Sequence, residues 1–183
     1  MSDPEKIKEY EKKTKNQFEV LKRIDTYIGT TNTKCTIIMS YCAASIAFIF
    51  SLLSKIETDG VNTALLVFIG IFSLLSLATS IICMIMACLT IFPATFSSPT
   101  NPRGKSMIFY GDIAASPSNA NSYDQRIFDI SDEDFLSDLN KQIFTLSKIA
   151  SDKFSKIQKI TCILIAHFLL MAAFLIAGII YFL

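Results

Sequence analysis

Apolar and polar positions divide this chain into long blocks. Cys35 to Leu53, Ala64 to Phe92 and Ile160 to Leu183 carry no Asp, Glu, Lys or Arg, and run for 19, 29 and 24 residues. A helix needs about 20 apolar residues to cross the hydrocarbon layer. Each block therefore predicts a transmembrane helix. A large core of soluble helices would show polar residues along its water-facing sides, which these blocks lack.

The last block continues an earlier pattern. From Asp132 to Lys159 the chain is amphipathic. At about 100° per residue, Phe135, Leu139, Ile143, Leu146, Ala150, Phe154 and Ile157 share one face. Lys141, Lys148, Lys156 and Lys159 take the other, with Lys153 at the seam. Ser131 and Asp134 have the spacing of a capping box. No proline follows, so one helix is predicted from Asp132 into the membrane. Asp3-Pro4-Glu5 predicts an earlier helix start. Lys6 to Asn16 reads as a solvated helix, and Phe18, Leu21, Ile24 and Ile28 then recur at helical spacing, as a face for the Asp132–Lys159 helix. Gly29 to Thr33 is a weak helical patch, where either a kink or a continuous helix is open.

The fold class is thus an all-α membrane protein with three spanning helices and a cytoplasmic helical layer. Its expected parts are an N-terminal helix at 1–34, spans at 35–53, 64–92 and 160–183, an outer loop at 54–63, and a cytoplasmic region at 93–159. Within that region 93–130 reads mostly as loop, because 97–102 and 116–122 are rich in Ser, Pro and Asn. The apolar stretch Met107 to Ala114 between them is expected to fold onto the helices. Pro93 should end the second span, and Asp59-Gly60 should turn the outer loop. Ser40, Ala43, Ala44, Ser45 and Ala47 in the first span allow close helix contact.

Charge fixes an orientation. Of the 17 basic residues, eight precede Cys35, one (Lys55) lies in the outer loop, and eight lie between Pro93 and Lys159. The positive-inside rule places the N-terminus in the cytoplasm and Leu183 outside. No outer domain and no cleaved signal peptide are expected. The net charge of +1 carries no message by itself, but the cytoplasmic parts hold 16 basic and 14 acidic residues, which indicates no general affinity for nucleic acid. The five cysteines lie in or beside the apolar blocks without a Cys-x-x-Cys pair, so they read as small buried side chains.

Several stretches resemble one family. These are Arg23 to Ile28 with Asn32 and Lys34; Ile91-Phe92-Pro93 followed by Met107 to Ala114; and Asn140 to Leu146 with Lys153 leading into the last span. In order and spacing they resemble the transmembrane effector domain of Pycsar-type antiphage defence, over about residues 17–183. The resemblance implies a membrane effector that answers a nucleotide made by a partner nucleotidyltransferase by compromising the bacterial inner membrane, as in abortive infection. Many such effectors carry a separate cyclic-nucleotide-binding domain, for which this length leaves no room. Stand-alone membrane effectors of the Hailong type look similar. There the implied logic is a channel held shut by a nucleic-acid oligomer.

Candidate chemistry is sparse. One histidine, no glycine-rich phosphate loop and no clustered metal ligands point to no enzyme and no cofactor. Asp132-Glu133-Asp134 reads as acids favoured at a helix start. His167 lies inside the third span, where an ionisable group is a functional candidate; the alternative is a neutral ring bonded to a neighbouring Ser or Thr. Ser73, Ser76, Thr79 and Ser80 form a polar stripe that either lines a pore or packs against another helix. A pore needs an oligomer, because three helices enclose no aqueous path, and a closed ring such as a tetramer is the simple solution. Lys148, Lys153, Lys156 and Lys159, joined by Arg103 and Lys105, bind either a nucleotide or oligonucleotide phosphate or anionic lipid. The leading reading is a gated oligomeric channel. The alternative is a non-channel scaffold recruiting a soluble partner, and a proton-coupled transporter through His167 stands third.

Overall fold

The computed structural model describes residues 4–57, 61–92, 106–114 and 120–183. Asp3, Asp59-Gly60, Pro93, Arg103 and Lys105 lie outside them. The described residues form five helices: α1 (Pro4–Leu53), α2 (Thr63–Ile91), α3 (Tyr110–Ala114), α4 (Ala120–Asp129) and α5 (Asp132–Phe182). No strand occurs among them. Helices α1, α2 and α5 are long and apolar enough to cross a membrane, as the three apolar blocks require.

Local chemistry explains the ends. Pro4 opens α1, where its missing N–H would have no partner anyway. Exposed Glu9 and Lys13 form an i,i+4 ion pair at 2.6 Å in the solvated stretch. Each favours its partner's charged form: the Glu9 carboxyl is held below its ordinary range and the Lys13 ammonium above its own. The Gly29–Thr33 patch is helical, so α1 is continuous. Asn62 caps α2 by accepting the Ala64 N–H. Phe92 leaves α2 with φ −49° and ψ 131°, the extended conformation that a following proline imposes. At α5 the capping box is half built. Ser131 Oγ accepts the Asp134 N–H at 3.1 Å, but the Asp134 carboxylate accepts a hydrogen bond from the Ser131 hydroxyl instead of reaching back to the Ser131 N–H. Aspartate is one methylene shorter than the glutamate of a full box.

The α4 helix was not expected. Asn121 and Ser122, turn formers in sequence, sit in its first turn, where such side chains are tolerated. Tyr123 holds the helix in place by donating to the Met107 carbonyl at 3.0 Å.

The chain folds as two compact units. The first takes residues 1–29 and 93–152. Here Phe18 meets Phe135 with ring centroids 6.3 Å apart, while Leu21, Ile24 and Ile28 are half-buried. Met107, Leu139 and Ala150 form its buried apolar positions. The Met107–Ala114 stretch is anchored to α5 by Asp138, whose nearly buried carboxylate accepts from Ser106 Oγ (3.0 Å) and the Met107 N–H (2.8 Å). Ser106 Oγ in turn accepts from Gln142 and from the N–H groups of Ile108 and Phe109. Asp112 closes the turn by accepting the Ser106 N–H.

The second unit takes residues 30–92 and 153–183. Its helices share a strict seven-residue rhythm. On α2 the buried positions are Ile69, Ser73, Ser76, Ser80, Cys83, Ala87 and Thr90, alternating steps of four and three. On α1 they include Thr31, Cys35, Cys42, Ser45 and Ile49. On α5, Lys153, Ile160, His167 and Phe174 are buried at intervals of seven. Such a repeat is the seam of helices in left-handed, coiled-coil-like packing. Of the small residues of α1, Ser45 is buried, whereas Ser40, Ala43, Ala44 and Ala47 face outward.

Candidate functional site

The seam of the second unit is layered. Lys153 lies at one end. Next comes an apolar cluster of Cys35, Cys42, Cys83, Ala87 and Ile160. A polar layer follows, then a second apolar cluster of Ile49, Ile69, Met171, Phe174 and Ala177. Tyr181 closes the far end, its hydroxyl accepting from the Glu57 N–H (2.7 Å) and donating to the Glu57 carbonyl (3.1 Å).

The polar layer joins three of the candidate residues, Thr79, Ser80 and His167, to neighbouring helices. Ser45 and Ser80 hydroxyls meet at 2.9 Å between α1 and α2. Thr79 Oγ1 lies 3.0 Å from His167 Nδ1, joining α2 to α5. Tyr41 meets the imidazole edge-on, with centroids 5.6 Å apart. Ser73 bonds back to the Gly70 carbonyl of its own helix, an alternative open to serine in any helix. Among the described residues, two buried side-chain polar atoms have no hydrogen-bond partner, Ser76 Oγ and His167 Nε2. Ser73, Ser76, Ser80 and His167 are all buried within one chain, and Thr79 is half-buried. The stripe thus faces α1 and α5 of its own protomer.

The basic residues do not act alike. Lys148 is exposed, and its ammonium sits 4.5 Å from the centre of the Phe144 ring. Lys159 is exposed and Lys156 half-buried. Lys153 is 5% exposed. It donates to Asn32 Oδ1 at 3.0 Å and to the Thr90 carbonyl. Phe154, expected on the buried face, is 41% exposed instead. Lys153 takes the central position because α1 and α2 present two oxygens there for its ammonium.

Sequence reading did not pair Asn32 and Thr90 with Lys153, nor Ser45 with Ser80, and it passed over Asp138. For Ser80 and Thr90 the signal was the four-and-three spacing of Ser73, Ser76, Ser80, Cys83, Ala87 and Thr90 on α2; Asn32 and Asp138 carried none. Among the described residues, no group of three or more His, Cys, Asp or Glu side chains is arranged to hold a metal ion.

The Thr79–His167 bond has a measurable size. Double-mutant cycles of hydrogen bonds between membrane helices average about 0.6 and reach about 1.7 kcal/mol. A Thr79→Val, His167→Phe cycle should give a coupling in that range in a reversible unfolding assay in bicelles. Additive single effects would show that the two groups do not stabilise one another.

The model of the family described as Pycsar effector protein domain matches residues 16–179 of the chain. No curated protein and no solved structure matches it.

Proposed function

The chain belongs to the Pycsar effector protein family, and from that premise we propose that it is an oligomeric ion channel of the bacterial inner membrane. Family membership supports an antiphage membrane effector that acts with a nucleotide-making partner. In our reading the N-terminus lies in the cytoplasm and Leu183 outside, with subunits in a closed ring such as a tetramer. The outward face of Ser40, Ala43, Ala44 and Ala47 on α1 is suited to close contact between copies.

The unpaired Ser76 Oγ and His167 Nε2 carry the channel reading. An unsatisfied polar atom buried in protein costs about 1–3 kcal/mol, and hydrocarbon supplies no partner. A second arrangement in which the seam parts and hydrates satisfies both atoms. Ser73, Ser76, Thr79, Ser80 and His167 then line or gate the aqueous path. In the closed arrangement Ser80, Thr79 and His167 join the helices.

The signal is a nucleotide or oligonucleotide from the partner nucleotidyltransferase. Its phosphates are bound by Arg103, Lys105, Lys148, Lys156 and Lys159. Lys153, committed inward, acts on the gate rather than on the ligand. Exposed Tyr110, Phe128 and Phe144 favour a second reading, in which the first unit recruits a soluble protein.

The test is the membrane potential of bacteria carrying this chain with its partner enzyme during phage infection. Depolarisation that requires the chain is expected. An intact potential in infected, protected cells would overturn the channel reading and favour the scaffold. Replacing Lys148, Lys156 and Lys159 by glutamate should alter the response to the signal while leaving membrane insertion unchanged. A wild-type response would remove these lysines from ligand binding.

A further inference from the structure

One buried cation ties together all three spanning helices. Asn32 belongs to α1, Thr90 to the last turn of α2 and Lys153 to α5, and the Lys153 ammonium reaches both oxygens. The last four carbonyls of a helix lack partners within it and carry the negative end of its dipole. The Thr90 carbonyl is therefore a natural acceptor for a cation. Thr31, beside Asn32, is 2% exposed, so the ammonium is held in a closed place and not on a wet rim. Lys153 occupies the position in the α5 repeat that Ile160 and Phe174 fill one and three turns of the pattern later. A polar residue at such a position lowers stability and fixes register instead.

We propose that Lys153, Asn32 and the Thr90 carbonyl form the latch that keeps the channel shut, an inference that rests on the channel reading above. The three helices cannot separate at this end unless the ammonium leaves both acceptors. Hydrogen bonds to a charged group are made or broken, whereas apolar clusters can slide, so this layer gives the seam two discrete states. The latch lies at the start of the second unit's share of α1 and α5, which begins at Thr30 and Lys153. Lysine suits the task, because its long stem lets a released ammonium reach the membrane–water boundary. Parting of this end admits water toward the apolar Cys35–Ile160 cluster and then to the polar layer, where Ser76 and His167 hold unmet hydrogen-bonding capacity.

The latch predicts opposite effects from two substitutions. Lys153→Met keeps an unbranched apolar side chain and removes the charge and donors. Asn32→Asp turns a neutral acceptor into a carboxylate and tightens the grip. The full-length chain is expressed in bacteria without the partner enzyme, and resting potential is read with a voltage-sensitive dye alongside the amount of inserted protein. Lys153→Met should raise the resting leak at least about tenfold per inserted chain, the effect of losing hydrogen bonds to a charged group. Asn32→Asp should leak less than wild type and need more signal once the partner enzyme and phage are present. If the wild type already leaks at rest, Asn32→Asp must reduce that leak.

A merely structural role gives another pattern, in which Lys153→Met inserts poorly and conducts less. In that event Asn32→Asp decides, and an unchanged signal threshold overturns the latch. An inserted Lys153→Met chain with wild-type potential at rest and a wild-type response also overturns it, while the channel reading stands. Silence of wild type and both variants through infection overturns both.

Discussion

Replacing Asp138 by alanine is expected to loosen Ser106 to Ala114 and to cost the first unit about 2–4 kcal/mol, from two hydrogen bonds to a carboxylate and a buried N–H left unmet. The carboxylate holds the Ser106 hydroxyl and the Met107 N–H. Ser106 Oγ then organises Ile108, Phe109 and Gln142. Removing Asp138 therefore frees a whole segment. Hydrogen exchange at the Met107, Ile108 and Phe109 amides is the direct readout, and protection there should collapse while that of α2 stays. Asp138→Asn keeps an acceptor oxygen and should lose about half as much, since neutral hydrogen bonds are roughly half as strong as charge-assisted ones. Wild-type protection in Asp138→Ala would mean that packing of Met107 alone holds the segment.

The second large effect is expected at Phe174. Its ring is 1% exposed in the cluster with Ile49, Ile69 and Met171. Phe174→Ala opens a cavity among three helices. In soluble cores this costs about 3–5 kcal/mol. Here the lower end applies, because lipid solvates the ring of the separated helix and only packing is lost. Leu169, 69% exposed, is the control: Leu169→Ala should change stability by less than about 0.5 kcal/mol, as surface substitutions usually do. Reversible unfolding in bicelles would compare them. Equal losses at both positions would contradict the assignment of Phe174 to the seam.

The three spanning helices were legible because hydrocarbon demands long uncharged runs, and Cys35 to Leu53 needs no neighbour to declare itself. Continuity of α1 across Gly29 was not legible. Gly29 and the threonines after it are weak helix formers, yet the helix runs through them. Lys153 shows the limit most clearly. At 100° per residue it lies about 40° from Leu139, as far as Phe135 does. The angle alone set it at the border between the two faces of the helix. Asn32 and the Thr90 carbonyl, both remote in sequence, help make a buried ammonium tolerable. The small residues of α1 could not be divided in sequence between the buried Ser45 and the outward Ser40, Ala43, Ala44 and Ala47, because composition cannot say which side of a helix meets its own chain. Ser76 and Ser80 could be placed on one stripe, but not assigned to a pore or a packing face.

The unbroken run of α5 through 51 residues restricts how descendants of this gene can change length. Leu139, Leu146, Lys153, Ile160, His167, Phe174 and Tyr181 recur every seventh residue. One inserted codon advances everything beyond it by about 1.5 Å and turns it by about 100°, which would swing Lys153 or His167 out toward lipid. Seven inserted codons would turn it by only about 20°. Insertions and deletions that survive selection within α5 should therefore come in sevens. Other lengths should gather in 54–62, 92–109, 115–119 and 130–131, the stretches that join one helix to the next.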